Sequence, residues 1–335
     1  MKKMSRALAF VLVALLATCV VALSACGSND TADTKTKQTL SVTSEPAQSE
    51  PEPEPVVLRT DPFYVMVVGS DSREGTVGKY AEYADGKGRS DTLMLVRVDP
   101  KKYKLTMVTI PRDTQAEYDG QRCKINETFH LGDVEGLQKA VKDLTGVDPD
   151  YYLVTTFVGF ENLIDNMGGL KVDVPIDEEM KDIVTGEWQS FPAGENTLNG
   201  KQALVFARER HAYENLYDGN LQEAYRQTND RYILTTMIQK IISDPDKVAD
   251  LTTELLKDID TNWDEREIVA FAEDFAKNSD KLEVIRGTGP YAGEIDAETG
   301  LWLAYRDEDT WSQIIDVVND GGDPTDIVPI VSAAN

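Results

Sequence analysis

The feature of this sequence that most restricts its fold is the alternation of short apolar runs with longer segments of helical spacing. The run FYVMVVGSD (63–71) is apolar up to a Gly-Ser-Asp end, as expected of a buried strand that opens onto a loop. Further strand-like runs and helical patterns alternate from there towards the C terminus. Because such elements bury their apolar faces in stacked layers, the sequence predicts a layered α/β domain.

The predicted elements follow from apolar periodicity and from turn residues. The strands are expected at 63–71, 92–98, 105–110, 151–156, 170–174, 281–286 and 301–305, with a hairpin joining the second and third. The helices are expected at 133–145, 158–167, 200–207, 222–242, 246–257, 264–277 and 307–318. In the first helix, Asp133 is a plausible N-cap and Gly146 can close the C-terminal end.

The N-terminal segment reads as an export signal rather than as part of the fold. Lys2, Lys3 and Arg6 precede an apolar run at 7–23, and the small residues of SACG follow. The motif LSAC resembles a bacterial lipobox, in which Cys26 would carry lipid. The alternative is an uncleaved membrane anchor over 7–25, since a span needs roughly 20 residues. Either form puts the body of the chain outside the cytoplasmic membrane, beyond a Ser/Thr/Glu/Pro-rich linker at 27–60 that we predict to be disordered.

Charge and composition exclude several classes of function. The formal net charge of −25 argues against general binding to nucleic acid or to anionic lipid surfaces. Outside the targeting segment Cys123 is the only cysteine, so we expect a buried side chain rather than a nucleophile. His130 and His211 are the only histidines, and no Gly-x-Ser-x-Gly elbow precedes a helix, so a Ser-His-Asp hydrolase is poorly supported.

Charged residues recur at the edges of the apolar elements. Six of the 14 arginines belong to a set of nine such residues: Asp71, Arg73, Arg89, Asp91, Arg112, Lys124, Arg208, Arg210 and Arg226. Arginine binds phosphate bidentately, and paired carboxylates hold Mg²⁺, which also takes substrate phosphate as a ligand. The set therefore suits phosphoryl transfer, although each motif alone also fits a surface ion pair or a loop cap.

The order of these motifs resembles the LytR-CpsA-Psr family of cell-wall ligases. The motifs are Gly-x-Asp-x-Arg, Arg-Ser-Asp-Thr, Pro-Arg-Asp, Lys-Ile-Asn, a Gly-Gly-Leu strand and Ala-Arg-x-Arg, and they cover about residues 61–245. The resemblance implies a layered α/β/α domain with a central mixed sheet, spanning 61–335, outside the membrane. It also implies transfer of a glycopolymer phosphate from a polyprenyl-pyrophosphate carrier to peptidoglycan, with Mg²⁺ on the pyrophosphate.

The resemblance assigns roles residue by residue. It makes Asp71 and Asp91 the metal-associated aspartates, with Asp91 also nearest the incoming sugar hydroxyl as a candidate base. The residues that it associates with catalysis or with binding of the pyrophosphate-linked substrate are Arg73, Arg89, Arg112, Lys124, Asn126, Arg208, Arg210 and Arg226. The chain departs from the family pattern at Glu223, where an aspartate is usual, and at Asp230, where a glutamine is usual. The segments at 75–87 and 211–225 are also long.

Two further expectations concern geometry. Residues i and i+2 of a helix point to opposite sides, so Arg208 and Arg210 can share one pyrophosphate only if the helix ends near Arg208 and the chain continues extended. A polyprenyl tail needs an apolar slot, which these residues could line if they are not simply core: Val158, Phe160, Leu163, Ile164, Met167, Ile233, Met237, Ile238 and Ile241.

Two other functions remain open at this level. The same pocket could serve a polyprenyl-pyrophosphate phosphatase in which water replaces the sugar hydroxyl. Alternatively, the chain could be a non-catalytic cell-surface lipoprotein that binds a glycan or a solute.

Overall fold

The computed structural model describes residues 56–72, 88–182, 185–209 and 222–330, and the described elements lie in one compact unit, Glu54–Asn335. The strands are β1 (Phe63–Ser70), β2 (Ser90–Asp99), β3 (Lys104–Thr109), β4 (Gln115–Tyr118), β5 (Gln121–Lys124), β6 (Tyr151–Thr156), β7 (Leu170–Val174), β8 (Glu178–Lys181), β9 (Trp188–Phe191), β10 (Gly194–Leu198), β11 (Asp260–Thr261), β12 (Glu283–Thr288), β13 (Gly293–Ile295) and β14 (Trp302–Ala304). The helices are α1 (Ile125–Thr145), α2 (Phe157–Asn166), α3 (Gly200–Arg208), α4 (Gln222–Ile242), α5 (Val248–Leu256), α6 (Glu265–Lys277) and α7 (Glu308–Asn319).

Six strands form a mixed central sheet in the order β11-β6-β1-β2-β3-β12. Two pairs are parallel, β1 with β6 and β3 with β12, and the other neighbours are antiparallel. The predicted β2–β3 hairpin is present, so the start of β2 and the end of β3 lie side by side. The predicted α/β fold with a central mixed sheet is confirmed.

Helices cover both faces of this sheet. Side chains alternate along β2, so Leu93 and Leu95 pack in a core with α1 and α7, while Met94 and Val96 pack in a second core with α6. The partly buried Leu234 and Ile238 of α4 belong to that second core. The arrangement is therefore the expected layered one, with helices, sheet and helices in succession.

The first helix differs from its prediction. It begins at Ile125, eight residues before the expected start, and its regular geometry breaks at Asp133, which has φ 60° and ψ −157°. Asp133 therefore stands between two helical segments, directly before the second one, which ends at Thr145 as predicted. The segment that precedes Asp133 was not predicted. Gly146 does close the helix in the left-handed conformation, as predicted.

The remaining helices agree with their predictions to within a few residues, and α4 has the predicted bounds, Gln222–Ile242. Several short strands outside the central sheet were not predicted. Neither strand of the pairs β4–β5 and β8–β9 was predicted, and in the pairs β7–β10 and β13–β14 only β7 and β14 were.

Among the described residues, no helix combines the length and the apolar character needed to cross a bilayer. The predicted export segment, Cys26 and most of the predicted linker lie outside the described residues. Cys123 is buried in the core beside α1, and burial raises the pKa of its thiol, as expected of a packing residue.

Candidate active site

The end of β1 and the start of β2 form a clasp between Asp71 and Arg89. The Asp71 amide donates to the Arg89 carbonyl at 3.0 Å, and the Arg89 amide donates to Asp71 Oδ1 at 2.6 Å. A Cβ on Gly88 would lie 2.2 Å from the Ser72 nitrogen, so only glycine fits beside the clasp. This local geometry puts Asp71, Arg89 and Asp91 at one edge of the sheet.

Asp91 is the carboxylate on which the arginines converge. Its Oδ1 accepts a hydrogen bond from Arg112 Nη1 at 2.6 Å, and its Oδ2 lies 3.5 Å from Arg208 Nη1. Burial opposes ionisation of Asp91, but the charges of Arg112, Arg226 and Arg208 outweigh burial and hold its pKa below the usual range. Asp91 is therefore ionised at neutral pH.

Arg226 is buried on α4 between two carboxylates. Its Nη2 lies 2.6 Å from Glu223 Oε1 and its Nη1 lies 2.9 Å from Asp230 Oδ2, at i−3 and i+4 on the helix. Burial disfavours the charged guanidinium, yet the two carboxylates raise the Arg226 pKa. Asp230 also accepts a hydrogen bond from Thr92 Oγ1 at 2.9 Å, and burial raises its pKa to about 6. Both departures from the family pattern thus lie against Arg226.

Arg208 ends α3, as the geometry argument predicted. The next residue, Glu209, is extended with φ −66° and ψ 135°. The Arg208 guanidinium lies over the Phe157 ring, 4.1 Å from its centroid. In the described part of the chain its Nε and Nη1 are buried and make no hydrogen bond, although Nη1 lies 3.5 Å from Asp91 Oδ2, and burial lowers the pKa of Arg208. A desolvated guanidinium whose buried N–H groups make no hydrogen bond is suited to an anionic ligand. Arg210, the other half of the motif, lies outside the described residues.

The remaining predicted residues surround this cluster. Arg89 makes a two-pronged ion pair with Glu127 on α1. Lys124 Nζ lies 2.6 Å from Asp113 Oδ1. Asn126 is buried, its backbone amide donates to the Arg112 carbonyl at 3.2 Å, and its side-chain oxygen accepts no hydrogen bond from the residues that the structure describes. Arg73 lies outside the described residues.

Three neighbours of the site were not singled out from the sequence. Phe157 contacts Arg208, Asp113 contacts Arg112 and Lys124, and Glu127 contacts Arg89. Asp113 ends the Pro-Arg-Asp motif and Glu127 directly follows Lys-Ile-Asn, so acidic residues in or beside the basic motifs were a usable signal. Phe157 gave no signal, because its contact with Arg208 joins residues 51 positions apart.

An apolar cavity of about 180 Å³ opens beside the charged cluster, and Asp91, Arg208 and Arg226 line one part of it. A second apolar cavity of about 280 Å³ lies between the sheet and helices α4, α5 and α6. The two share the lining residues Val67, Leu153, Leu163, Leu234, Met237 and Ile259. Of the nine residues expected to line a slot, six line one or both cavities, whereas Val158, Ile164 and Met167 line neither.

A metal here would depend on few protein ligands. In the described part of the chain, no three His, Cys, Asp or Glu side chains are grouped so that they could hold a metal ion. Mg²⁺ is commonly held by one or two carboxylates together with waters and substrate phosphate. Asp71 and Asp91 fit that donor set, and both act electrostatically on Arg208 and on Arg89.

Known proteins resemble this chain in sequence. A polyisoprenyl-teichoic acid–peptidoglycan teichoic acid transferase, TagV of Bacillus subtilis strain 168, is 30% identical over 247 residues, which are 70% of this chain and 59% of TagV. The enzyme of the same description named TagU, from Bacillus mycoides strain KBAB4, is 28% identical over 256 residues, 74% of this chain and 75% of TagU. The chain therefore spans less than two thirds of the length of TagV.

The fold is also shared with solved structures. The crystal structure of B. subtilis TagV superposes with a TM-score of 0.61 at 24% identity and covers 82% of this chain and all of that one. The sequence profile of the LytR_cpsA_psr family matches residues 21–313, and this range includes every motif quoted above. On this match, and with the fold in agreement, the chain belongs to the LytR_cpsA_psr family.

Proposed function

We propose that this protein transfers a glycopolymer phosphate from a polyprenyl-pyrophosphate carrier to peptidoglycan. One observation carries the proposal: Arg208 and Arg226, with Asp91, line the same cavity as apolar side chains of α2 and α4. A pyrophosphate joined to a polyprenyl chain has this combination of a dense negative charge and an apolar tail. A soluble sugar phosphate would need the arginines but not the apolar cavity.

The relatives support the same substrate class. TagV and TagU are described as acting between polyisoprenyl-linked teichoic acid and peptidoglycan. We carry over the carrier lipid and the peptidoglycan acceptor to this chain and leave the polymer open, because only 59% of TagV is matched.

The residues divide between binding and transfer. Arg112, Arg208 and Arg226 bind the pyrophosphate, with Arg89, Lys124 and Asn126 around them. The family pattern adds Arg73 and Arg210 to the residues that bind the substrate. The acceptor sugar hydroxyl attacks the phosphorus that carries the glycopolymer, so a new phosphorus–oxygen bond forms. The bond from that phosphorus to the bridging oxygen breaks, and polyprenyl phosphate leaves with the bonding electrons. Asp91 is our candidate to accept the hydroxyl proton.

Mg²⁺ is part of the proposal, with Asp71 and Asp91 as its protein ligands. When bound, it neutralises the charge that develops on the pyrophosphate oxygens. The arginines alone provide limited neutralisation, because Asp91 pairs with Arg112, and both Glu223 and Asp230 pair with Arg226.

We further propose that the domain works on the extracytoplasmic face of a bacterial membrane. The N-terminal export pattern supports this, with attachment either through lipid on Cys26 or through the apolar segment at 7–25. Labelling with a fatty-acid probe separates the two forms. A protein with lipid on Cys26 takes up the label, and Cys26→Ala abolishes the labelling, whereas a protein anchored by the apolar segment is not labelled.

The test uses the full-length chain with a polyprenyl-pyrophosphate-linked oligosaccharide, Mg²⁺ and soluble peptidoglycan fragments. The expected product is the oligosaccharide joined to peptidoglycan through a phosphodiester, with release of polyprenyl phosphate. Free oligosaccharide phosphate as the sole sugar product would identify a phosphatase instead. Binding without turnover, equal in Asp91→Asn, would identify a non-catalytic binding protein.

A further inference from the structure

A hairpin beside the candidate active site exposes apolar side chains. Ile295 on β13 and Trp302 on β14 are directly paired across the hairpin, and they are 69% and 41% exposed. Leu301, next to Trp302, is 42% exposed. Directly paired side chains lie on one face of a hairpin, so Ile295 and Trp302 form one apolar patch. Contiguous exposed patches of this kind commonly mark interaction sites.

The root of the hairpin is fixed to the active-site segment. Leu303 and Ala304 are buried, and the Ala304 amide donates to the Asp113 carbonyl at 2.9 Å. Asp113 directly follows Arg112, the partner of Asp91. Trp302 lies only two residues, about 7 Å of strand, from Ala304. The patch therefore belongs to the same edge of the domain as the pyrophosphate-binding arginines.

The tip of the hairpin is also held in place. Asp296 accepts hydrogen bonds from the amide and the hydroxyl of Thr299, both at 2.8 Å, and it forms an ion pair with Arg122 of β5. Arg122 also lies 3.4 Å from Glu298. An apolar patch on a preorganised support loses little conformational entropy when a ligand covers it.

The negative charge of the hairpin restricts which ligands can bind its apolar patch. The hairpin carries Glu294, Asp296 and Glu298, against which Arg122 supplies one positive charge, and the whole chain has a net charge of −25. Anionic lipid headgroups, a polyanionic polymer and a second copy of this acidic patch would all be repelled. A neutral sugar ring would not be, because its C–H face is apolar and its hydroxyls donate to carboxylates.

We propose that the face formed by Ile295 and Trp302 binds an uncharged sugar ring of the glycan strand that accepts the polymer. The Trp302 indole provides the stacking surface, and Ile295 extends it. The inference rests on the proposed function for the identity of the glycan, and it gives the acceptor a docking site next to the Arg112–Asp91 pair.

The test is a calorimetric titration of the full-length chain with an uncharged β-1,4-linked N-acetylglucosamine oligosaccharide. We expect Trp302→Ala to weaken binding about tenfold, as for a buried aromatic anchor, and Trp302→Phe to retain most of it. Trp188→Ala is the matched control, because Trp188 is 65% exposed on a different strand, and we expect it to bind like the wild type. A melting curve for each variant checks that the fold is retained.

Several results would overturn the inference. The first is that the wild type does not bind the oligosaccharide, and the second is that Trp302→Ala binds it as tightly as the wild type. The third is that Trp302→Ala and Trp188→Ala lose the same affinity. Binding of the patch to phosphatidylglycerol vesicles, or a dimer that Trp302→Ala dissociates, would assign it to another occupant. No lipid-linked donor is present in the titration, so its outcome is separate from the success or failure of the transfer assay.

Discussion

Arg112 Nη1 and Asp91 Oδ1 lie 2.6 Å apart at the edge of the central sheet, and both side chains are largely buried. Arg208 and Arg226 also interact electrostatically with this carboxylate. We therefore expect Asp91→Asn to lower the free energy of unfolding by about 3–5 kcal/mol, because it leaves buried cations without their shared counter-charge. Inorganic pyrophosphate should raise the melting temperature of this variant more than that of the wild type, because it supplies the missing negative charge.

Thermal melts with and without pyrophosphate measure both effects. Asp143→Asn is the control, since Asp143 pairs with Lys139 on the exposed surface of α1 and such pairs contribute little. A smaller pyrophosphate effect in Asp91→Asn than in the wild type would contradict the view that these arginines share one anion site.

Arg208 lies over the Phe157 ring, and among the described residues its buried Nε and Nη1 have no hydrogen-bond acceptor. If it stabilises the pyrophosphate in the transition state, Arg208→Ala should lower kcat by roughly 10²–10³-fold, as the loss of one preorganised donor does. Steady-state kinetics of polymer transfer measure this. Arg266→Ala should leave kcat unchanged, because Arg266 is an exposed residue paired with Asp264 at the start of α6. A similar fall in both variants would mean that Arg208 acts through general stability.

The parts of the site predictable from sequence are those that local geometry determines. A hairpin joining β2 and β3 puts the start of one strand beside the end of the next, so the proximity of Asp91 and Arg112 follows from the two motifs. The end of α3 at Arg208 follows from the direction of side chains along a helix. In contrast, the contacts of Arg208 with Asp91 and Phe157 join distant segments, and no local pattern specifies them.

The elements that were missed have weak apolar patterns. Strands β4 and β5 are mostly polar and only four residues each, so their alternation is too short to detect. Their turn, Asp119-Gly120, has φ of 49° and 77° and is a recognisable hairpin signal that the prediction did not use. The early start of α1 was missed because Asp133 is a good N-cap residue, which favoured a start there.

Glu178 gives a pH-dependent prediction. It is buried on β8, and one of its carboxylate oxygens accepts no hydrogen bond from any residue in the described ranges; burial, with the nearby Glu209 charge, raises its pKa to about 7. The folded state therefore binds a proton that the unfolded state has released, so the free energy of unfolding should fall as pH rises from about 4.3 to about 7. Glu178→Gln removes this loss and should have a higher melting temperature than the wild type at pH 8.

Melting curves between pH 4 and pH 8 follow this difference. The neighbouring Glu179 points to the other side of β8 and is exposed, so Glu179→Gln should follow the wild-type curve. Parallel curves for Glu178→Gln and the wild type would show that the Glu178 carboxyl is not protonated at neutral pH in the fold.

Gly88 tests the clasp that positions Asp71. A Cβ at residue 88 would lie 2.2 Å from the Ser72 nitrogen and 2.4 Å from Ser70 Oγ. Gly88→Ala must therefore separate the two chain segments and weaken the hydrogen bonds between Asp71 and Arg89. We expect a higher Mg²⁺ concentration for half-maximal activity, together with a modest loss of stability. An unchanged Mg²⁺ dependence would indicate that Asp71 is not a ligand.

If the two apolar cavities hold the polyprenyl tail, a substitution between them should affect long-chain substrates more than short-chain ones. Val67 on β1 lines both of them, so Val67→Phe would place a ring where they share a wall. A ring there fills empty space and should change stability little, yet it would exclude the inner part of a long polyprenyl chain. Because each buried CH₂ contributes about 0.8 kcal/mol, the loss of two such groups already corresponds to about tenfold in affinity.

We therefore expect Val67→Phe to raise KM at least tenfold for a long-chain polyprenyl-pyrophosphate substrate and much less for an analogue with one or two isoprene units. The analogue would bury its tail only beside the arginines, where Val67 has less influence. Val57→Phe is the control, because Val57 is 85% exposed. An equal rise in KM for both chain lengths would place the tail elsewhere, and no rise would exclude the cavities as the site of the lipid.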